Sequence, residues 1–195
     1  MRPDILLAID TSAAHCAAAL LLGPSVVTHV ELMAKGQAER LVPMLDEMLA
    51  AEGVIWADLA AIVVGVGPGN FTGIRIAVAL ARGLSLGLGV PAIGVTGFEA
   101  LAHGAARPVT VALDAPRGQA YVQGFSAEGS GKAEIVQAAP LGALRLQDIA
   151  LPQFIAALAA VGRAKAAIPQ PRPAPFYLRS ADALPSSDPP LVILP

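Results

Sequence analysis

Apolar runs separated by turn residues organise the first hundred positions. Residues 5–9 are apolar and end at Asp10-Thr11-Ser12, which predicts a buried strand closing in a turn. A second apolar run over 16–22 stops at Gly23-Pro24, and residues 26–32 alternate in polarity. Three short strands at this spacing predict an antiparallel meander. Over 37–51, Leu41, Val42, Leu45, Met48 and Leu49 recur at helical spacing, with Glu39, Arg40, Asp46 and Glu47 on the other faces and Gly53 just beyond. Residues 61–65 form an apolar strand, followed by a glycine-rich turn and a helix from about 74 to 88. That helix is apolar nearly all round, broken by Arg75, Arg82 and Ser85, so it lies deep in a core or is covered by something else. Residues 91–95 read as a further strand, and Thr96 or Gly97 caps a helix running through His103.

The pattern then repeats. Leu7-Ala-Ile-Asp10, a turn and Ala17-Ala-Ala-Leu20 are echoed by Val111-Ala-Leu-Asp114, a turn and Tyr121-Val-Gln-Gly124, offset by 104 positions. The echo suggests a duplicated α/β domain, divided as 1–106 and 107–195. The second half is thinner. One helix is expected over 148–161 with Pro152 in its first turn, and the last 27 residues hold eight of the 17 prolines, which favours extended or irregular chain there.

Composition narrows the function. The chain of 195 residues is 55% hydrophobic, 14% charged and 4% aromatic, with net charge −2. This argues against a self-sufficient nucleic-acid binder and suggests an apolar surface that a partner covers. Arg163, Lys165, Arg172 and Arg179 read as scattered surface charges. Cys16 is the only cysteine; it predicts no intrachain disulfide, a cytoplasmic location and a buried structural thiol. Asp4, Asp10 and His15 interrupt the N-terminal apolar stretch, which reads as strands rather than a signal peptide, and no membrane span is expected.

Two features could carry chemistry. The stretch Gly65-Val-Gly-Pro-Gly-Asn-Phe-Thr-Gly73, between strand and helix, has the form of an anion-binding loop through Gly67, Gly69, Asn70 and Thr72. It equally suits a tight turn and a close helix–strand approach, with Asn70 or Thr72 as the helix cap. It is neither a Walker loop nor a dinucleotide fingerprint. Asp10 with Thr11, and Asp114 across the duplication, would line an interdomain cleft or simply close their own turns, the latter being the reading that the second copy's lack of hydroxyls favours. His15, His29 and His103 are scattered, and neither a metal site nor a nucleophile–base pair is readable.

The segment Gly65-Val-Gly-Pro-Gly-Asn-Phe-Thr-Gly-Ile-Arg-Ile76 closely resembles the motif of the TsaB (YeaZ-type) family, also labelled glycoprotease-like or peptidase M22-like. Leu7-Ala-Ile-Asp-Thr-Ser12, Ile93-Gly-Val-Thr96, Leu113-Asp-Ala-Pro-Arg-Gly-Gln-Ala-Tyr121 and Pro175-Phe-Tyr-Leu-Arg179 match in the family's order and span nearly the whole chain. The resemblance implies an actin-like (ASKHA, ribonuclease H-like) fold of duplicated α/β domains, the second shortened. It implies a non-catalytic scaffold without a cofactor or metal, whose vestigial nucleotide loop comprises Asp10, Thr11, Gly67, Gly69, Asn70, Thr72 and Asp114. The implied partners are a TsaD-like catalytic subunit, which threonylcarbamoylates adenosine beside the tRNA anticodon, and a TsaE-like ATPase. Contact with tRNA would come only through the complex, and a homodimer would form when the chain is alone. The expected partner surface is Leu41, Met44, Leu45, Met48, Ile74, Ala77, Val78 and Ala81, so that Leu45→Glu or Ala81→Glu would break the heterodimer and spare the fold. Gln37 stands where many relatives have His, which makes it an improbable ligand. The competing readings are an ASKHA-type ATP-dependent small-molecule kinase and an M22-type metallopeptidase.

Overall fold

The computed structural model describes residues 5–178. Arg179 and most of the proline-rich tail lie outside the described residues. The first half builds β1 (Ile5–Asp10), β2 (His15–Leu22), β3 (Ser25–Leu32), α1 (Gln37–Ala51), β4 (Leu59–Gly65), α2 (Phe71–Leu88), β5 (Ala92–Val95) and α3 (Gly97–Ala102). The second half adds β6 (Val109–Asp114), β7 (Ala120–Ser126), β8 (Gly129–Ser130), β9 (Glu134–Val136), β10 (Leu144–Arg145) and α4 (Leu151–Lys165).

The first sheet runs β3-β2-β1-β4-β5. β2 is antiparallel to both its neighbours, while β1, β4 and β5 are parallel. This is the ribonuclease H-like arrangement expected from the resemblance. The second sheet runs β10-β6-β7-β8, with β9 also on β7. Its β6, β7 and β10 repeat the pairing of β1, β2 and β4, one antiparallel and one parallel neighbour about the leading strand. The echo between Asp10 and Asp114 is therefore structural, since both close the leading strand of a sheet. In the first half α1 lies between β3 and β4; the corresponding stretch between β9 and β10 holds no helix. That missing layer is what shortens the second half.

β1 is buried along its whole length, so the first sheet needs a cover on each face. Leu7 and Ile9, with Cys16, Ala18, Leu20, Ile62 and Val64, face α1 and α2. Leu6 and Ala8, with Ala17, Ala19, Leu21 and Val63, face Phe154, Ile155, Leu158 and Ala159 of α4. A helix from the second half thus completes the first sheet's core. Each fully buried Leu, Ile, Val or Phe among these contributes about 1.5–3 kcal/mol relative to exposure, the alanines less.

Local chemistry explains the helix ends. Asn70 Oδ1 accepts from Gly73 N at 2.8 Å, which starts α2 at Phe71, three residues before the apolar pattern begins. Thr96 and Glu99 form a reciprocal capping box on α3. Gly53, at φ 64°, takes the left-handed turn beyond α1. Cys16 is fully enclosed, and burial, reinforced by Glu31, pushes its thiol up to about 11, so it is no nucleophile.

α4 sits unusually close to the sheet at Gly162, where an added Cβ would lie 2.3 Å from Val63 Cγ1. Gly162→Leu is expected to push α4 off β4 and cost about 1–3 kcal/mol. A lowered denaturation midpoint checks this; an unchanged midpoint would mean that α4 is not seated as described.

Candidate functional site

Two regions hold the residues the sequence singles out: the end of the sheets where β1 and β6 finish, and the helices α1 and α2. In the first, Asp10 leaves β1 into the β1–β2 turn and is 1% exposed. Its Oδ1 accepts from Ser12 N at 3.0 Å and Ser12 Oγ at 2.9 Å, and lies 2.8 Å from Nε2 of the buried His15. Gly65 creates the space, because a Cβ there would fall 1.8 Å from Asp10 Oδ2. Asp10 is therefore held inside the turn. In the sequence His15 reads as a scattered histidine; the turn between β1 and β2 returns it to Asp10, which spacing alone does not signal.

The glycine-rich loop is stitched to the same turn. Asn70 N donates to Ser12 O at 2.6 Å, and Thr11 Oγ1 donates to Gly73 O at 2.6 Å. Gly69 and Gly73 permit this approach, since a Cβ would meet Ser12 O at 2.3 Å and Thr11 O at 1.9 Å. Gly67 has φ 97° and accepts from Gly97 N through its carbonyl at 2.9 Å. An anion loop offers free amides. Here the amide of Asn70 is bound by Ser12 and that of Gly73 by the Asn70 cap, which favours the turn-and-cap alternative. Thr72 lies exposed in the first turn of α2 and is not the cap.

Gln37, the first residue of α1, clamps the turn from the other side. Its Nε2 donates to Ala13 O and His15 O, both at 2.7 Å. Asp114 is exposed at the end of β6 and pairs with Arg145 of β10. Arg145 escaped the sequence reading; its strand is only two residues long and carries little periodic signal. Ser12, Ala13, Gly69 and Asp114 line two neighbouring recesses of about 110 and 420 Å³. Asp114 lines these recesses, whereas Asp10 is buried behind them, and each is already engaged within the chain. Among the described residues, no group of three His, Cys, Asp or Glu side chains is placed to hold a metal ion.

The eight residues expected to meet a partner need correcting. Leu41, Met44, Leu45, Met48, Ile74, Ala77, Val78 and Ala81 are all buried, the most exposed at 5%. They form the inward stripes that seat α1 and α2 on the sheet. The sequence shows which helical positions are apolar, but an all-apolar helix does not reveal which of its faces the sheet takes. The outer side of α2 carries Ala79, Gly83, Leu86 and Gly87 exposed, with Ile76 and Leu80 half-buried. By length and composition α2 could cross a membrane, yet its inward stripe is core. At its N-terminus Arg75 lies 3.6 Å over the Phe71 ring and donates from Nε to Tyr177 Oη at 2.9 Å. This joins two motif segments far apart in sequence, the one holding Phe71 and Arg75 and the one holding Tyr177.

Leu45→Glu and Ala81→Glu are therefore expected to destroy the fold rather than spare it, because each forces an unpaired carboxylate between helix and sheet at a cost on the order of 3 kcal/mol or more. Loss of a cooperative thermal transition checks this; a wild-type melt would place these residues at the surface.

Comparison with known proteins follows the same lines. The family model TsaD, tRNA N6-adenosine threonylcarbamoyltransferase, matches residues 29–179. The tRNA threonylcarbamoyladenosine biosynthesis protein TsaB of Escherichia coli is 37% identical over 131 residues, covering 65% of this chain and 57% of that protein. The chain thus spans little more than half the length of this curated relative. An uncharacterized protein of Mycobacterium tuberculosis is 32% identical over 201 residues, covering 92% of this chain and 94% of its own length. The structure of YeaZ from Pseudomonas aeruginosa superposes with a TM-score of 0.74 at 25% identity, over 90% of this chain and 100% of that one. With the glycine-rich motif, the duplicated sheets and these matches, the chain belongs to the TsaD (peptidase M22-like) family, in its TsaB (YeaZ-type) group.

Proposed function

We propose that this chain is a non-catalytic scaffold subunit that binds and activates a TsaD-like catalytic subunit in N6-threonylcarbamoyladenosine modification of tRNA next to the anticodon. The observation that carries the reading is α2: an 18-residue apolar helix with five residues buried. The remaining face is apolar beyond what this chain's own core requires, which suits a helical partner surface. Ile76, Ala79, Leu80 and Gly83 of α2 form its centre. Ala79 and Gly83 are small, so a partner helix approaches closely there.

The cleft supports the same reading. Asp10, the carboxylate that a phosphotransferase of this fold would turn toward metal and nucleotide, faces His15 and Ser12 instead. The names of the curated relatives place those proteins in threonylcarbamoyladenosine biosynthesis. A TsaE-like ATPase completes the proposed assembly, tRNA meets it through the catalytic subunit, and the chain on its own pairs its exposed α2 face in a homodimer. The cytoplasm is its proposed location, in keeping with one buried, unpaired cysteine.

The test is reconstitution. The chain is combined with its cognate TsaD, TsaE, carbamoyl-adenylate synthase and tRNA, and the digested nucleosides are read by mass spectrometry. Threonylcarbamoyladenosine is expected only when the chain is present. Ala79→Glu, at an exposed site, is expected to keep the fold while losing both co-elution with TsaD and the product. Equal product without the chain would overturn the scaffold reading.

A further inference from the structure

Beyond α4 the chain forms a strap over residues 166–178 that turns back onto the α2 side of the first sheet. Phe176 N donates to Val66 O at 2.8 Å, and Pro173 packs against Gly94 of β5. Between this strap and the C-terminal half of α2 lies an open groove of about 870 Å³, floored by Pro91, Ala92 and Ile93.

The groove has three kinds of contact on offer. Arg82 on the α2 wall and Arg172 on the strap wall are exposed, and neither guanidinium has an ion pair or hydrogen bond among the described residues. Arg75, by contrast, is already engaged by Tyr177. Leu86 is 85% exposed and Ile168 is 64% exposed, one on each wall. The floor adds backbone. Pro91 O accepts from Ile62 N and Val95 O from Val66 N, so the alternation along β5 turns the N–H and C=O of Ala92 away from β4. Two guanidiniums without acids, an unpaired strand edge and apolar walls match a peptide that carries carboxylates among apolar side chains. A small inorganic anion would leave the apolar walls and the strand edge unused.

We propose that this groove docks an extended acidic segment of a protein partner, with its carboxylates on Arg82 and Arg172 and an apolar side chain between Leu86 and Ile168. The proposal rests on the scaffold reading for the partner's role, but the groove is measured on the chain alone, so either can fail without the other.

The probe is the peptide Leu-Glu-Val-Asp-Leu-Glu, titrated into isotope-labelled chain and followed by amide chemical shifts, with Leu-Lys-Val-Lys-Leu-Lys as the charge-reversed control. Shifts are expected at Ala92, Ser85 and Gln170 for the acidic peptide only, weakening with salt. The double variant Arg82→Glu, Arg172→Glu is expected to keep the wild-type melt and lose about tenfold or more in affinity. No shifts up to about 1 mM acidic peptide, shifts confined to the cleft or α1, or equal response to both peptides would each overturn the proposal. Displacement of the peptide by inorganic phosphate at equal concentration would also overturn it, by reducing the groove to an anion site.

Discussion

A central strand that is apolar on both faces cannot stand with one face in water. β1 imposes that condition here, and the rest of the architecture meets it. α1 and α2 take one face. The other needs a helix that the first half does not supply, since α3 is only six residues long and lies toward β6. α4 fills the place, and Gly162 lets it approach Val63 closely enough to do so. The two halves of the chain are consequently held by a shared core, whatever their evolutionary relation.

The same condition decides what is left over. Seating α2 on the sheet uses one narrow stripe, Ile74, Ala77, Val78 and Ala81. Beyond it Ala79, Gly83, Leu86 and Gly87 remain exposed, between Arg75 and Arg82 on one side and the half-buried Ile76 and Leu80 on the other. In the cleft the balance is reversed: the polar groups that look chemically useful are satisfied internally. Asp10 bonds within its turn, Gln37 locks that turn to α1, and the loop's glycines allow backbone contact with Thr11 and Ser12 where a ligand would otherwise approach. A cleft whose polar groups are engaged internally, beside a helix with exposed apolar positions, is what the proposed scaffold role rests on.

Much of the fold was legible in the sequence because it rests on patterns of period two and period 3.6. The meander, the bounds of α1, and the β1/β6 echo follow directly from residues such as Leu7-Ala-Ile-Asp10 and Val111-Ala-Leu-Asp114. α2 begins earlier than its apolar pattern because the Asn70 cap, not hydrophobicity, sets the start. The site was less legible. Apolar residues around α2 give no phase, and the one apolar face of α1, with Leu41, Met44, Leu45 and Met48, is taken by the sheet rather than by a partner. The Asp10–His15 pair and the Asp114–Arg145 pair depend on where turns and short strands end, which composition and periodicity do not encode. The strap over β5 likewise follows from the position of α4, a tertiary fact.

Hydrogen–deuterium exchange on the chain, alone and mixed with its cognate TsaD, tests the central claim most directly. The account predicts slowed exchange across α2 and the adjoining part of α1 on mixing, with the β1–β2 turn over residues 11–14 unchanged. Protection gathered at that turn and the glycine-rich loop, with α2 unaffected, would contradict it and return the cleft to the centre of the function.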